Sequence, residues 1–280
     1  MTVAVFADPL GPRGKLKVAV ATLIGSVAVA GLLYVAFRRF QNNGQLEAKL
    51  WTDLFGGEAL RFFWDGLKNT LRLAGVSLAL ALPFGVVLAL ARLSKRAPVR
   101  LLATLWLQFF RGVPLVVLML FFYFGLDIPK ATSIVMGLTL YNSAVLAEII
   151  RAGILSLDRG QSEAALAVGM TDGQAMRAVV LPQAIRRMVP ALVSQLVVLL
   201  KDTSLGVAVL YEELLRRGEL AGQFLKNPLQ ALLFVAAIFL IVNLLLSSAA
   251  RWLEGRQGKA KKVAPGGTVR VSGVEDLTVA

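Results

Sequence analysis

The sequence predicts an all-α integral membrane protein with about six transmembrane helices, and three observations carry that prediction. Of its 280 residues, 57% are hydrophobic, and the mean hydropathy is +0.70, well beyond what a soluble domain of this size uses. The apolar residues also fall in long blocks. Residues 18–37, 73–91 and 228–250 carry no charge over roughly the 20 residues that a helix needs to cross a hydrocarbon core. Finally, the basic residues collect in alternate connections. With the N-terminus in the cytoplasm and six spans, the cytoplasmic segments hold Arg13, Lys15 and Lys17, then Arg92, Lys95, Arg96 and Arg100, then Arg151, Arg159, Arg177, Arg186 and Arg187, and lastly Arg251 and the basic residues after it. That is 18 of the 30 Lys and Arg, the bias the positive-inside rule requires, and it places both termini in the cytoplasm.

The same composition excludes several chemistries. With no cysteine and no histidine, the chain has no disulfide, no thiolate nucleophile, no Cys- or His-ligated metal and no imidazole proton shuttle. The formal charge of +13 is distributed by loop rather than gathered on one soluble face. It therefore reports topology and not nucleic-acid binding.

In chain order, residues 1–17 are a polar lead and 18–37 the first span. Ala28-Val29-Ala30 before a small residue also fits a signal-peptide cleavage site, but the apolar run outlasts a signal core and continues to Phe37, which favours an uncleaved anchor. Residues 38–64 form an outer segment in which Leu46, Leu50, Trp51, Leu54 and Phe55 recur near helical spacing; a helix lying on the membrane surface and a solvated loop are both open. The second span, 66–91, contains Pro83 and Gly85, which predict a kink, and closes on the basic turn 92–98. The third, 101–125, carries Arg111-Gly112-Val113-Pro114 near its middle, where a guanidinium needs protein, water or an acid beside it. The fourth runs from 131 to about 152 and is apolar until Tyr141-Asn142-Ser143, then carries Glu148 and Arg151. The fifth, about 185–209, has an uncharged core of only 188–200, followed by Lys201-Asp202-Thr203-Ser204. Such a span should face a partner helix or a wet pathway. Residues 211–227 read as a charged outer loop and 228–250 as the last span, with Trp252 an interfacial anchor. The three resulting regions are 1–65, 66–250 and a polar, disordered cytoplasmic tail at 251–280.

Between the fourth and fifth spans lies a charged, glycine-punctuated stretch, GQSEAALAVGMTDGQAMRAVVLP at 160–182. Glu163-Ala164-Ala165 begins a helix-forming run, Gly169 ends it, Thr171-Asp172 can cap a second helix, and Leu181-Pro182 precedes the next apolar run. The pattern is a helix, a turn and a helix. Its register, Glu-Ala-Ala, three residues, Gly, nine residues, Val179, one residue and Leu-Pro, resembles the cytoplasmic coupling loop (155–182) of permease subunits of bacterial ATP-binding-cassette (ABC) importers. Further blocks are similar to the polar-amino-acid branch of these permeases: GLKNT at 66–70, RLS at 92–94, RGVPLVVLMLFFYFGL at 111–126, YNSAVLAEIIRAGI at 141–154, LPQAIRRMVPAL at 181–192 and KDTSL at 201–205. Val113 stands where family members commonly carry Thr. The first span and its outer segment lie outside the minimal five-span pattern.

The resemblance implies a subunit that dimerises, with itself or a sister permease, and translocates a polar amino acid by alternating access. It also implies an extracytoplasmic substrate-binding protein and a separate ATPase in whose groove the Glu163 helix docks, so that Glu163, Ala164, Ala165, Gly169, Leu181 and Pro182 form the ATPase-coupling set. The chain lacks a G-x-x-x-x-G-K-[ST] loop, so ATP belongs to the partner and no cofactor or catalytic residue is expected here. For the substrate path the candidates are polar groups within spans: Asn142 and Glu148, Gln195, Lys201, Asp202, Thr203 and Ser204, with Arg111 as a counter-charge. A zwitterion needs an acid for its ammonium and a donor for its carboxylate, which Glu148 with Lys201 or Arg111 can supply; helix-to-helix hydrogen bonding or an internal ion pair of Glu148 with Arg151 or Arg111 is the competing reading. An ion-coupled secondary transporter and a non-transporting membrane scaffold are the alternative functions, although no internal repeat of the kind the former needs is visible.

Overall fold

The computed structural model describes residues 11–259. Among these residues all regular structure is helical. Five helices are long and apolar enough to cross a membrane, or six when one bent pair counts as a single span. The described residues divide into two compact units, 11–63 with 218–235 and 64–217 with 236–259.

In the first unit, α1 (Pro12–Asn42) starts on a proline, which loses no helical bond at that position, and buries no residue along its length. It stops in a Schellman turn: the Gln45 N–H donates to Phe40 O, the Gly44 N–H donates to Gln41 O, and Gly44 takes φ +68°. The outer segment after it is folded rather than a solvated loop. It forms α2 (Ala48–Thr52) and a 3₁₀ turn, Asp53–Phe55, and α3 (Gly57–Arg92) begins well before residue 66. The reason is local packing. Leu54 is fully buried, and Phe55 and Phe63 meet Phe234 edge-on at 5.4 and 5.0 Å. Asn227 and Gln230 donate side-chain hydrogen bonds to the carbonyls of Leu50 (2.7 Å) and Gln45 (2.8 Å). Residues 211–227 are likewise not a loop, because α10 (Leu214–Phe224) occupies most of them before the turn into α11 (Pro228–Lys259). The part of the predicted disordered tail beyond Lys259 lies outside the described residues.

In the second unit, α6 (Lys130–Leu155) is the hub, packed against α4 (Ala97–Gly112), α5 (Leu115–Leu120) and α9 (Leu181–Asp202). Glycines permit the approach. A Cβ on Gly85 of α3 would sit 2.9 Å from Leu146 Cβ and 3.1 Å from the Ser143 carbonyl oxygen, and one on Gly153 would sit 3.0 Å from Met188 Cε. Two spans differ from their sequence expectation. The third is broken, since Val113 is extended (φ −83°, ψ 129°) ahead of Pro114, which has no N–H and drives its predecessor out of the helical region. The helices Ala97–Gly112 and Leu115–Gly125 meet there at 95°. The fifth starts much earlier than 185: α8 (Asp172–Ala175) passes through a π turn, Met176–Val180, into α9, giving a helical run from Asp172 to Val209. Leu181-Pro182 thus lies inside a continuous helical run, where the π turn shifts the hydrogen-bond register ahead of a residue with no N–H to donate. By contrast, α3 stays helical through Pro83 to Arg92.

Candidate functional site: a capped helix beside a polar helix pair

The stretch between α6 and α9 folds around short-range backbone capping. α7 (Arg159–Ala167) begins four residues before Glu163, because Asp158 is its cap: the Asp158 side chain accepts the Gly160 N–H at 2.9 Å. It ends in a second Schellman turn, in which the Met170 N–H reaches Ala165 O (3.2 Å) and the Gly169 N–H reaches Leu166 O (2.9 Å). Gly169 takes φ +89°, a conformation costly for any residue with a Cβ, although nothing lies within 4 Å of where that Cβ would be. Thr171 then caps α8 through a capping box: its Oγ accepts the Gln174 N–H (3.4 Å) while Gln174 Oε1 accepts the Thr171 N–H (2.9 Å).

This geometry sorts the six coupling candidates. Ala165 is 5% exposed and turned inward, with α7 resting on α8 and the π turn. Glu163 and Ala164 face outward, together with Leu166 (41% exposed) and Val168 (76%). Among the described residues, Glu163 has no hydrogen bond or ion pair. Leu181 is half-buried and Pro182 exposed, both on α9 rather than α7. Three tethers hold the loop. Gln183 donates to Gln161 Oε1 at 3.1 Å, Arg187 donates to the Ser156 carbonyl, and Lys95 pairs with Asp172 at 2.9 Å. The hydrogen-bonded Asp172 carboxylate holds the Lys95 ammonium pKa above its ordinary value; both groups are exposed, so this tether is weak.

Of the substrate-path candidates, the structure brings together two. Gln195 Nε2 donates to Asn142 Oδ1 at 2.8 Å, and Asn142 Nδ2 donates to the Leu138 carbonyl at 2.9 Å, so a fully buried amide ties α6 to α9. Glu148 pairs with Arg92 and with Arg151 (3.2 Å), not with Lys201 or Arg111. Its carboxylate lies near the C-terminal ends of α3 and α6, where two basic residues compete for it. Arg111 is exposed in the last turn of α4, at the elbow rather than in mid-span. Lys201 is exposed and Asp202 half-buried at the far end of α9, followed by Thr203, which is buried with its hydroxyl on Leu200 O at 2.7 Å, and by half-buried Ser204. Sequence reasoning missed Asp158, whose place before a helix-forming run was a capping signal, and Arg92, whose partner 56 residues away had no local signal.

The opposite end of this unit explains the GLKNT block. A Cβ on Gly66 would meet Leu214 Cα at 3.0 Å, Asn69 donates to the Glu212 carbonyl at 2.8 Å, and buried Thr70 accepts the Leu214 N–H at 3.1 Å. Fully buried Glu213 accepts the Leu215 and Arg216 N–H groups at 2.9 and 2.7 Å, capping α10.

Comparison with known proteins places this architecture. Residues 81–259 match the family described as the binding-protein-dependent transport system inner membrane component. The glutamate transport system permease protein GluD of Corynebacterium glutamicum is 38% identical, aligned over 79% of this chain and 85% of its own. The probable glutamine ABC transporter permease protein GlnP of Bacillus subtilis is 37% identical, over 72% of this chain and 97% of its own. A solved amino acid ABC transporter with histidines superposes with a TM-score of 0.68 at 34% identity, covering 71% of this chain and 95% of that one. The MetNI methionine transporter, at 21% identity and a TM-score of 0.58, shares the fold. Helical architecture, family match and relatives agree: this chain belongs to the family of inner membrane components of binding-protein-dependent transport systems, as an amino-acid ABC transporter permease.

Proposed function

We propose that this chain carries a polar amino acid across the bacterial cytoplasmic membrane by alternating access, driven by ATP hydrolysis on a separate ATPase subunit that docks on α7. The observation that carries the reading is the outward face of α7, with Glu163, Ala164, Leu166 and Val168 exposed on a helix capped at both ends. A push there has a stiff route inward. α8 runs through the π turn into α9 without a break, and α9 carries Gln195 to the Asn142 amide of α6, so a rigid-body shift of the loop bears directly on that polar pair. In this reading Glu163 and Ala164 touch the ATPase, Ala165 seats α7 on its own subunit, Gly169 sets the exit angle, and Leu181 and Pro182 sit on the helix that carries the movement.

The polar-amino-acid class is supported by relatives named for glutamate and glutamine. ATP is bound by the partner, a second permease subunit completes the pore, and a substrate-binding protein delivers the solute at the end opposite α7. Both termini are cytoplasmic by the positive-inside bias. The family match favours this reading over an ion-coupled carrier or a scaffold. The test is ATPase activity of the complex in liposomes, with and without a binding protein loaded with single amino acids. Stimulation by one amino acid, lost in Glu163→Arg, is expected; hydrolysis indifferent to every polar solute would overturn it.

A further inference from the structure

The geometry points to a second binding site, for the phosphate of an anionic phospholipid headgroup, at the corner where α3 ends, α4 begins and α6 nears its last turns. An open cavity of about 590 Å³ there is lined by Arg92, Arg100 and Arg151, with Leu101, Thr104 and the first turn of α4. Its charges do not balance. Glu148 is the carboxylate paired with Arg92 and Arg151, and Arg100 has no ion pair among the described residues. Three guanidinium groups thus line a single concavity, and the one carboxylate that pairs with two of them leaves Arg100 without an ion pair among the described residues. The planar fork of arginine matches phosphate oxygens, and basic pockets between membrane helices at the cytoplasmic face suit anionic headgroups. The first turn of α4 adds to this attraction, because no side chain caps it.

The apolar half of the ligand follows from α4 itself. Leu101 on the cavity rim begins a stripe at i, i+4, i+8: Leu101, Leu105 and Phe109 are 58, 52 and 59% exposed. That stripe runs about 12 Å along the helix, from the basic corner towards the apolar depth. A soluble anion leaves it uncovered. A second copy packing through this same face would set its own Arg100 against the corner, like charge to like charge. An anionic phospholipid satisfies both parts, its phosphate among the arginines and an acyl chain along the stripe.

The inference rests on the proposed importer orientation, which puts this corner in the cytoplasmic leaflet; labelling of Arg96→Cys from each side of the membrane checks that orientation separately. The full chain is placed in nanodiscs of phosphatidylcholine with or without phosphatidylglycerol, and retained phosphatidylglycerol is measured by native mass spectrometry. Arg100→Gln is expected to weaken retention about fivefold, while Arg96→Gln, outside the cavity, leaves it at the wild-type level. Equal retention in Arg100→Gln and wild type overturns the site. Displacement by inorganic phosphate or free glutamate makes it a soluble-anion site and overturns the lipid assignment, as does Leu105→Cys crosslinking between copies in the bilayer. Lipid retention needs neither ATPase nor transport, so its loss leaves the importer reading intact, and loss of ATPase stimulation leaves the lipid result intact.

Discussion

The two ends of the permease unit are held by opposite means. At the corner beyond α9, the polar groups are buried: Glu213 and Thr70 are both fully enclosed while bonding the N–H groups that open α10. At the α7–α8 loop the tethers lie at the surface, and the Lys95–Asp172 pair is 91 and 71% exposed. Breaking a buried polar contact leaves an unsatisfied group in a medium without water, whereas a surface tether exchanges its partner for solvent at little cost. One end is therefore fixed to its helices. The other is shaped by its own caps and tied at the surface, which suits the coupling role proposed for it.

Substitutions at the two ends should reproduce that contrast. Glu213→Ala removes two buried N–H acceptors and should cost about 2 to 3 kcal/mol, read as a large fall in the melting temperature of the purified chain. Gly66→Val forces a side chain against the α10 backbone and should cost about 2 kcal/mol; unchanged stability would show that the corner is looser than its distances. Gly169→Ala meets no atom but must hold a left-handed φ, at about 1 kcal/mol, so the chain should stay folded while ligand-stimulated ATPase activity falls. Gln195→Leu removes one inter-helix hydrogen bond and should cost about 1 kcal/mol, with transport reduced more than assembly. Lys95→Ala, at a solvated tether, should leave both the melting temperature and ATPase stimulation unchanged.

What is legible in the sequence follows the range of the physics. The α7–α8 loop is built from contacts within a few residues, so Gly169 and Thr171 announce their turn and cap by residue type and spacing alone. Asp158 does the same job at the start of α7, but its cap precedes Arg159 and Gly160, weak helix signals beside the Glu163-Ala164-Ala165 run. The break at Val113-Pro114 has a local cause too, but a long apolar run masks it. Charge leads to the opposite error at residues 211–227: Glu213 and Arg217 read as loop residues, yet Glu213 is enclosed as the cap of α10. Least legible are partners distant in sequence, such as Glu148 with Arg92 and Asn142 with Gln195, because helical periodicity assigns a face and not a neighbour.

The most direct test of the coupling face uses the absence of cysteine from the natural chain. Single variants Ala164→Cys and Ala165→Cys are treated with a maleimide, with and without the ATPase subunit. Ala164→Cys should label rapidly in the permease alone and become protected on assembly, while Ala165→Cys, 5% exposed in the native fold, labels slowly in both states. Undiminished labelling of Ala164→Cys in an assembled, hydrolysing complex would contradict the account.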